Sequence, residues 1–220
     1  MNVVIVGAGG HGRVVLEILR QAGVHTPVGF IDADTSRVGT QLDGLPILGP
    51  VNMLPKLRRQ DVRGAIIAIG DNRVRATYAE LVLQCNLELI NAIHPAAIVS
   101  PTARTGVNIV IAAGAIVGTD VHLADSAVVN TGAIIDHECR IGRAVHVSPG
   151  VVLAGRVQVE EGAFIGIGAR VIPCMKVGSH ATIGAGAVVI EDVPAHATVV
   201  GVPGRVIKIS PPNPAGTTVV

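Results

Sequence analysis

The sequence predicts an α/β nucleotide-binding half followed by a parallel β-helix, and three observations carry that prediction. From Val99 to Val189 an aliphatic residue returns every six positions, with 15 of 16 anchors being Val, Ile or Leu and Thr105 the exception. The position four after each anchor, from Ala103 to Ala187, holds nothing charged or aromatic. Near the start, Gly7-Ala8-Gly9-Gly10-His11-Gly12 lies between an apolar run and an amphipathic one.

Taken in order, Val3 to Val6 form an apolar strand that runs into the glycine-rich turn, and Val14, Val15, Leu16, Ile18 and Leu19 lie at helical spacing behind it. Val28 to Ile31 form the next strand, ending at Asp32-Ala33-Asp34. G-x-G-x-x-G with strand before, helix after and an acid 20 positions beyond Gly12 lets phosphates approach backbone amides at a helix N-terminus. A tight strand-to-helix turn with no ligand would use the same glycines. A short strand at 45–48, a helix near 51–59, a strand at 65–69, a helix at 73–84 and a strand from Leu87 to Ala92 follow. The unit from 1 to 92 is half a dinucleotide fold, so a mononucleotide moiety suits it better than a whole dinucleotide. Asn72 and Arg73 follow the 65–69 strand, where open α/β sheets place ligands; helix cap and solvated charge are equally open to them.

His94-Pro95 marks a joint almost without linker, and 93–195 is the repeat domain. Each six-residue unit makes a short strand and a corner of turn formers. Three units close an 18-residue triangular coil, and coils stack at about 4.8 Å. The 90 residues from Val99 to Val189 supply five coils. Asp192-Val193-Pro194 breaks the register and opens a C-terminal segment, 196–220, whose last ten residues read as a disordered tail.

Composition narrows the function. A net charge of +1, 15% charged residues, one Tyr, two Phe and no Trp argue against nucleic-acid binding. Mean hydropathy is +0.56, yet no apolar run approaches the ~20 residues that span a bilayer, so membrane insertion is not expected. No leader pattern opens the sequence, and Cys85, Cys139 and Cys174 have no metal-ligand spacing. The expectation is a reduced, cytoplasmic protein without a metal.

Functional groups concentrate between Asn130 and Cys139. There Asp136 and Glu138 flank His137 and can fix its tautomer and keep it basic enough to accept a proton near neutral pH. Gly155, 18 residues on, falls at the same corner one coil higher, so its amide is a candidate oxyanion donor. His146, nine residues from His137, belongs to another face and would meet it only across a subunit boundary; an interface histidine is an equal reading.

G-A-G-G-H-G, A-I-G-D-N-R, N-A-I-H-P, N-T-G-A-I-I-D-H-E-C and G-V-P-G-R, in this order, make residues 1 to about 207 resemble the bacterial hexapeptide-repeat nucleotide-sugar acetyltransferases related to sialic acid O-acetyltransferases. Closest in pattern are those acting on UDP- or GDP-linked 4-amino-4,6-dideoxy sugars of the bacillosamine and perosamine type. The resemblance implies a left-handed β-helix, a homotrimer with active sites at subunit interfaces, and acetyl-CoA in the cleft between neighbouring β-helices. It implies His137 as general base with Glu138 orienting it. It also implies Gly155, His146, Ile165, Gly166 and Arg205 around the donor, and Gly9, Gly10, His11, Gly12, Asp32, Asp34, Asn72 and Arg73 around the nucleotide sugar. The implied reaction is N-acetylation of the 4-amino group by direct attack, serving surface-glycan synthesis. Its rivals are O-acetylation of a sugar hydroxyl, a γ-type carbonic anhydrase with three zinc-binding histidines among His122, His137, His146 and His180, and a non-catalytic nucleotide-sugar sensor.

Overall fold

The computed structural model describes residues 1–211, and the expected disordered tail falls almost wholly outside the described residues. The first unit is a six-stranded sheet in the order β3-β4-β2-β1-β5-β6. Its elements are β1 (Asn2–Val6), α1 (Gly10–Ala22), β2 (Thr26–Ile31), β3 (Gln41–Leu42), β4 (Leu45–Gly49), α2 (Leu54–Arg59), β5 (Gly64–Ile67), α3 (Asn72–Gln84) and β6 (Glu88–Leu89). β1 is parallel to β2 on one side and β5 on the other. The connections that follow β1 and β5 leave in opposite directions, to β2 on one side and β6 on the other, which opens a crevice at the strand ends.

β1 is apolar from Val3 to Val6 because both its faces are covered there. Val3 and Ile5 join the core under α1, while Val4 and Val6 join the core under α2 and α3. α1 buries Val15, Leu16, Ile18 and Leu19 on one stripe and stops at Gly23, whose φ of 67° and N–H to the Leu19 carbonyl close the helix.

The second unit is a left-handed parallel β-helix. Two-residue strands recur every six residues, and each pairs in parallel with the strand 18 residues away, as Val128 with His146 and Ile134 with Val152. Three sheets result. One carries Ala92–Ile93, Val110–Ile111, Val128–Val129, His146–Val147 and Phe164–Ile165; the second Ile116–Val117 and Ile134–Ile135; the third His122–Leu123 and Arg140–Ile141. The anchors point inward and form one continuous core from Ile109 to Val199. Every sixth residue from Asn108 to Gly186 has positive φ, yet only six of these fourteen corners are glycine.

The structure alters the expected ends of the repeat. The strand expected from Leu87 to Ala92 is split: Glu88–Leu89 pairs with Gly64–Ala65, and Ala92–Ile93 pairs with Val110–Ile111 as the first rung of the β-helix. At the other end the break at Asp192 does not end the stack. Ala197–Val200 pairs in parallel with Thr182–Ile183, 16 residues away instead of 18, and Arg205–Ile209 turns back antiparallel along it.

The first unit docks on the sheet that holds Val110, Val128 and His146. Val110, Ala112 and Val128 share a core with Val15, Leu19 and Ile66. The corner between the other two sheets is therefore the one opposite the docked domain, and His137 sits there.

Candidate functional site

The chain crosses that corner between Ile134–Ile135 and Arg140–Ile141. Asp136 does not flank the imidazole as expected. Its Oδ1 accepts the backbone N–H of His137 at 2.7 Å, so only Glu138 faces the ring, with Oε1 at 3.5 Å from His137 Nδ1. Arg156, one coil higher, donates from Nε to Glu138 Oε2 at 2.7 Å. That bond, opposed by desolvation, holds the Glu138 carboxyl below the usual range.

Gly155 lies directly over the ring. A Cβ there would stand 2.4 Å from His137 Nε2, so any side chain would displace the imidazole. Among the described residues the Gly155 N–H has no acceptor, which leaves a free donor beside the imidazole. Cys139, two residues from His137, is no nucleophile: it is buried, its Sγ donates to the Ala154 carbonyl at 3.1 Å, and burial pushes its thiol up to about 11.

A cleft of about 440 Å³ opens at the ends of β1 and β5, lined by Gly7 to His11, Asp32, Gly70 and Tyr78. A larger open groove, about 690 Å³, runs along the face of Arg104, His122 and Arg140 and contains none of the candidate acetyl-transfer or nucleotide-sugar residues, so chemistry rather than size selects the cleft. Gly9 caps α1 with no side-chain partner. A Cβ on Gly9 or Gly10 would meet nothing within 4 Å, whereas one on Gly12 would stand 2.0 Å from the Gly7 carbonyl oxygen. Gly9 and Gly10 thus open the helix N-terminus to an anion, and Gly12 serves the close passage of helix over strand. Asp32 lines the cleft and accepts from Ala8 N and Arg37 Nη1. Asp34 does not reach the cleft; it caps the turn at Thr35–Arg37 through Ser36.

His11 and His146 meet where the two units join, with ring centroids 6.2 Å apart. His146 also tilts against Phe164 at 5.3 Å and lies 3.3 Å from Asn130 Nδ2. Desolvation, then the Arg75 charge, drives both imidazoles down to about 4, so both are neutral near pH 7. Among the described residues, His11 Nε2 and His146 Nδ1 are buried with no hydrogen-bond partner.

Asn72 and Arg73 are not among the residues that line the cleft. Asn72 Nδ2 bonds the Gly162 and Ala163 carbonyls, and Arg73 is exposed, its backbone N–H joining the Asp71 cap. The buried member of this segment is Arg75, which sequence reasoning passed over because a lone helical arginine reads as a solvated charge. Ile165 gives its side chain to the β-helix core, and a Cβ on Gly166 would strike the Ile183 carbonyl oxygen at 2.6 Å; only their backbone remains for a ligand. Arg205 is exposed at the end of the stack, bonded to the Gly204 carbonyl.

Comparison with known proteins matches this architecture. Residues 2–82 match the PglD N-terminal domain family. The crystal structure of PerB from Caulobacter crescentus, in complex with CoA and GDP-perosamine, is 42% identical, covers 94% of this chain and 98% of its own, and superposes with a TM-score of 0.90. The chain belongs to the hexapeptide-repeat nucleotide-sugar acetyltransferases. The acetyltransferase domain of PglB from Neisseria gonorrhoeae FA1090, in complex with acetyl coenzyme A, is 36% identical over 94% of this chain and 98% of its own, with a TM-score of 0.89. The UDP-N-acetylbacillosamine N-acetyltransferase of Bacillus subtilis (strain 168) is 39% identical over 116 residues, an alignment that spans 51% of each protein.

In this acetyltransferase the four histidines of the carbonic anhydrase alternative are scattered. His122 lies on a flat sheet, His137 at the outer corner, His146 at the domain junction and His180 stacked on His196 at 5.3 Å. Among the described residues no three His, Cys, Asp or Glu side chains are placed to hold a metal ion, and no helix is long and apolar enough to cross a membrane. Arg156 was the other residue missed. The 18-residue spacing from Glu138, already used for Gly155, would have found it.

Proposed function

We propose that the chain N-acetylates the 4-amino group of a nucleotide-linked 4-amino-4,6-dideoxy sugar with acetyl-CoA, using His137 as general base. The observation that carries this reading is the His137 imidazole under the bare amide of Gly155, with Glu138 on the opposite ring nitrogen. The sugar's neutral amine attacks the thioester carbonyl carbon. The N–C bond forms as the carbonyl π pair moves to oxygen, and the Gly155 N–H stabilises that oxyanion. His137 takes the proton that the cationic nitrogen must lose. Collapse breaks the C–S bond, and the departing thiolate takes up the proton, giving amide and free CoA thiol. The relative bound to CoA and GDP-perosamine and the bacillosamine N-acetyltransferase support the donor and the substrate class.

The placement of the two sites supports a shared, trimeric assembly. The nucleotide cleft lies on the unit docked against one sheet, and His137 lies at the opposite corner of the same prism. A sugar held in one protomer's cleft therefore meets the His137 of a neighbour. The sheet of Ile98, Ile116, Ile134 and Val152, whose outward side chains are exposed or half-buried, gives the neighbour an apolar seat.

The test is thiol release from acetyl-CoA with UDP-, GDP- and dTDP-linked 4-amino-4,6-dideoxy sugars against the free sugars and hydroxyl analogues. Turnover confined to a nucleotide-linked amine is expected, and turnover on a hydroxyl analogue alone would replace N- by O-acetylation. Light scattering should give three times the 22.4 kDa chain mass; a stable monomer would remove the shared site.

A further inference from the structure

We infer that Arg156 is a positioning residue for acetyl transfer, acting on His137 through the carboxylate of Glu138. The inference rests on the reading of His137 as general base. The strands that follow the two corners, Arg140–Ile141 and Gln158–Val159, pair residue for residue, which sets Arg156 one coil above Glu138. The backbone is tied as well: Arg156 N donates to the His137 carbonyl at 2.9 Å. Arg156 Nε reaches Glu138 Oε2 at 2.7 Å and Nη2 reaches Oε1 at 3.4 Å, while the same Oε1 stands 3.5 Å from His137 Nδ1. One carboxylate is thus shared between a permanent cation and the imidazole.

Both residues occupy left-handed corners, with φ of 59° at Glu138 and 61° at Arg156. Glycine adopts that conformation without steric cost and fills six of the fourteen corners. Side chains held in two strained corners one coil apart, and bonded to each other beside the imidazole, point to a use for those side chains.

The use follows from charge. A carboxylate alone beside Nδ1 orients the ring but also stabilises the imidazolium, which delays release of the proton the base has taken. Arg156 fixes the carboxylate's direction and withdraws part of its charge from the ring. The other charged or titratable groups at this corner are Asp120, one coil below Glu138 in the same column, Asp136, whose carboxylate accepts the His137 N–H, the buried Cys139, whose thiol donates to the Ala154 carbonyl, and Cys174, next in the column above Arg156. None of them bonds the imidazole among the described residues.

The experiment compares wild type with Arg156→Gln, Arg156→Lys and Arg156→Gly in the acetylation assay as a function of pH. Arg156→Gln should move the acidic limb of the kcat profile up by about half a pH unit or more and lower kcat at pH 7 several-fold, with both KM values little changed. Arg156→Lys should bring the limb back toward wild type. Arg156→Gly, which also relieves the corner, should match Arg156→Gln. In a Glu138→Gln background Arg156→Gln should cause no further shift. NMR titration of the His137 imidazole in the same folded variants gives a readout independent of turnover, with its midpoint expected to rise in Arg156→Gln. Superimposable limbs and midpoints in wild type and Arg156→Gln, or an undiminished shift in the Glu138→Gln background, would overturn the inference. A wild-type protein inactive on every nucleotide-linked amine would defeat the general-base reading instead, and the titration would still decide the coupling.

Discussion

Arg75 donates its Nε–H to the Ser126 carbonyl at 2.8 Å, joining helix α3 to a corner of the β-helix. Its Nη1 reaches the Ile69 and Gly70 carbonyls, and Nη2 reaches Asn72 Oδ1 and the Ala144 carbonyl. The side chain is fully buried and every partner is neutral, so burial pushes it down to about 10, still cationic at pH 7. Arg75→Met should cost roughly 3 kcal/mol or more, because it strands buried acceptors on both units. Arg75→Lys should recover only part, since an ammonium lacks the planar fork. Urea denaturation reads both; an unchanged midpoint in Arg75→Met would show that the clamp does not hold the units together.

The His11 and His146 pair predicts acid lability. Above the ordinary histidine value of 6.5 both folded and unfolded chains are neutral at these sites, and pH has no effect through them. Between 6.5 and about 4 the unfolded chain binds protons that the folded one refuses, so stability falls as pH falls, by up to about 3 kcal/mol for each histidine at the lower end. Melting followed from pH 7.5 to 4.5 should show this decline, and His146→Asn should flatten it. A midpoint independent of pH over that range would contradict the buried, neutral pair.

The β-helix was legible because its stability is periodic: one inward side chain per six residues leaves a register that no helix or alternating strand produces. Corner conformation was less legible, since Asn108, Glu138, Arg156 and His180 occupy the left-handed turn in this stack alongside Gly132 and Gly150. Gly155 over His137 followed from the 18-residue repeat alone. What the repeat does not contain is the contact between units. Asn72 and Arg75 are defined by carbonyls 51 to 91 residues away, and nothing local distinguishes them from a cap and a solvated charge. Asp34 was readable in principle, because Asp34-Thr35-Ser36 is the spacing of a side chain that caps its own turn.

The glycines of the first turn should separate by role. Gly9 has φ −90° and open space at its Cβ, so Gly9→Val should fold normally and fill the path to the helix N-terminus. The KM for the nucleotide sugar should rise tenfold or more, about 1.4 kcal/mol of lost binding, with that for acetyl-CoA unchanged. Gly12→Ala should instead lower stability by about 1 to 3 kcal/mol, because the methyl meets the Gly7 carbonyl. If Gly9→Val weakened acetyl-CoA and spared the sugar, the cleft would be the donor site.

The chemistry itself turns on whether His137 moves a proton or the protein carries the acetyl group. Direct attack needs only a base, and its loss typically costs about 10² to 10⁴ in rate. His137→Asn keeps the size and polarity of the corner but cannot accept the proton, so kcat should drop by about 10² or more at pH 7 to 8 with both KM values less affected, the pattern of a lost transition-state interaction. Glu138→Gln should cost less, since the carboxylate only orients and polarises the ring. The rival route requires a nucleophile. Cys139 is buried with its thiol raised to about 11 and committed to the Ala154 carbonyl, and Cys174 is exposed two coils above Glu138. Cys139→Ala and Cys174→Ala should therefore keep turnover, and initial-rate lines should intersect as expected for a ternary complex. Parallel lines with a trapped acetyl-enzyme, or a His137→Asn protein at near wild-type kcat, would assign the acetyl group or the proton to another residue.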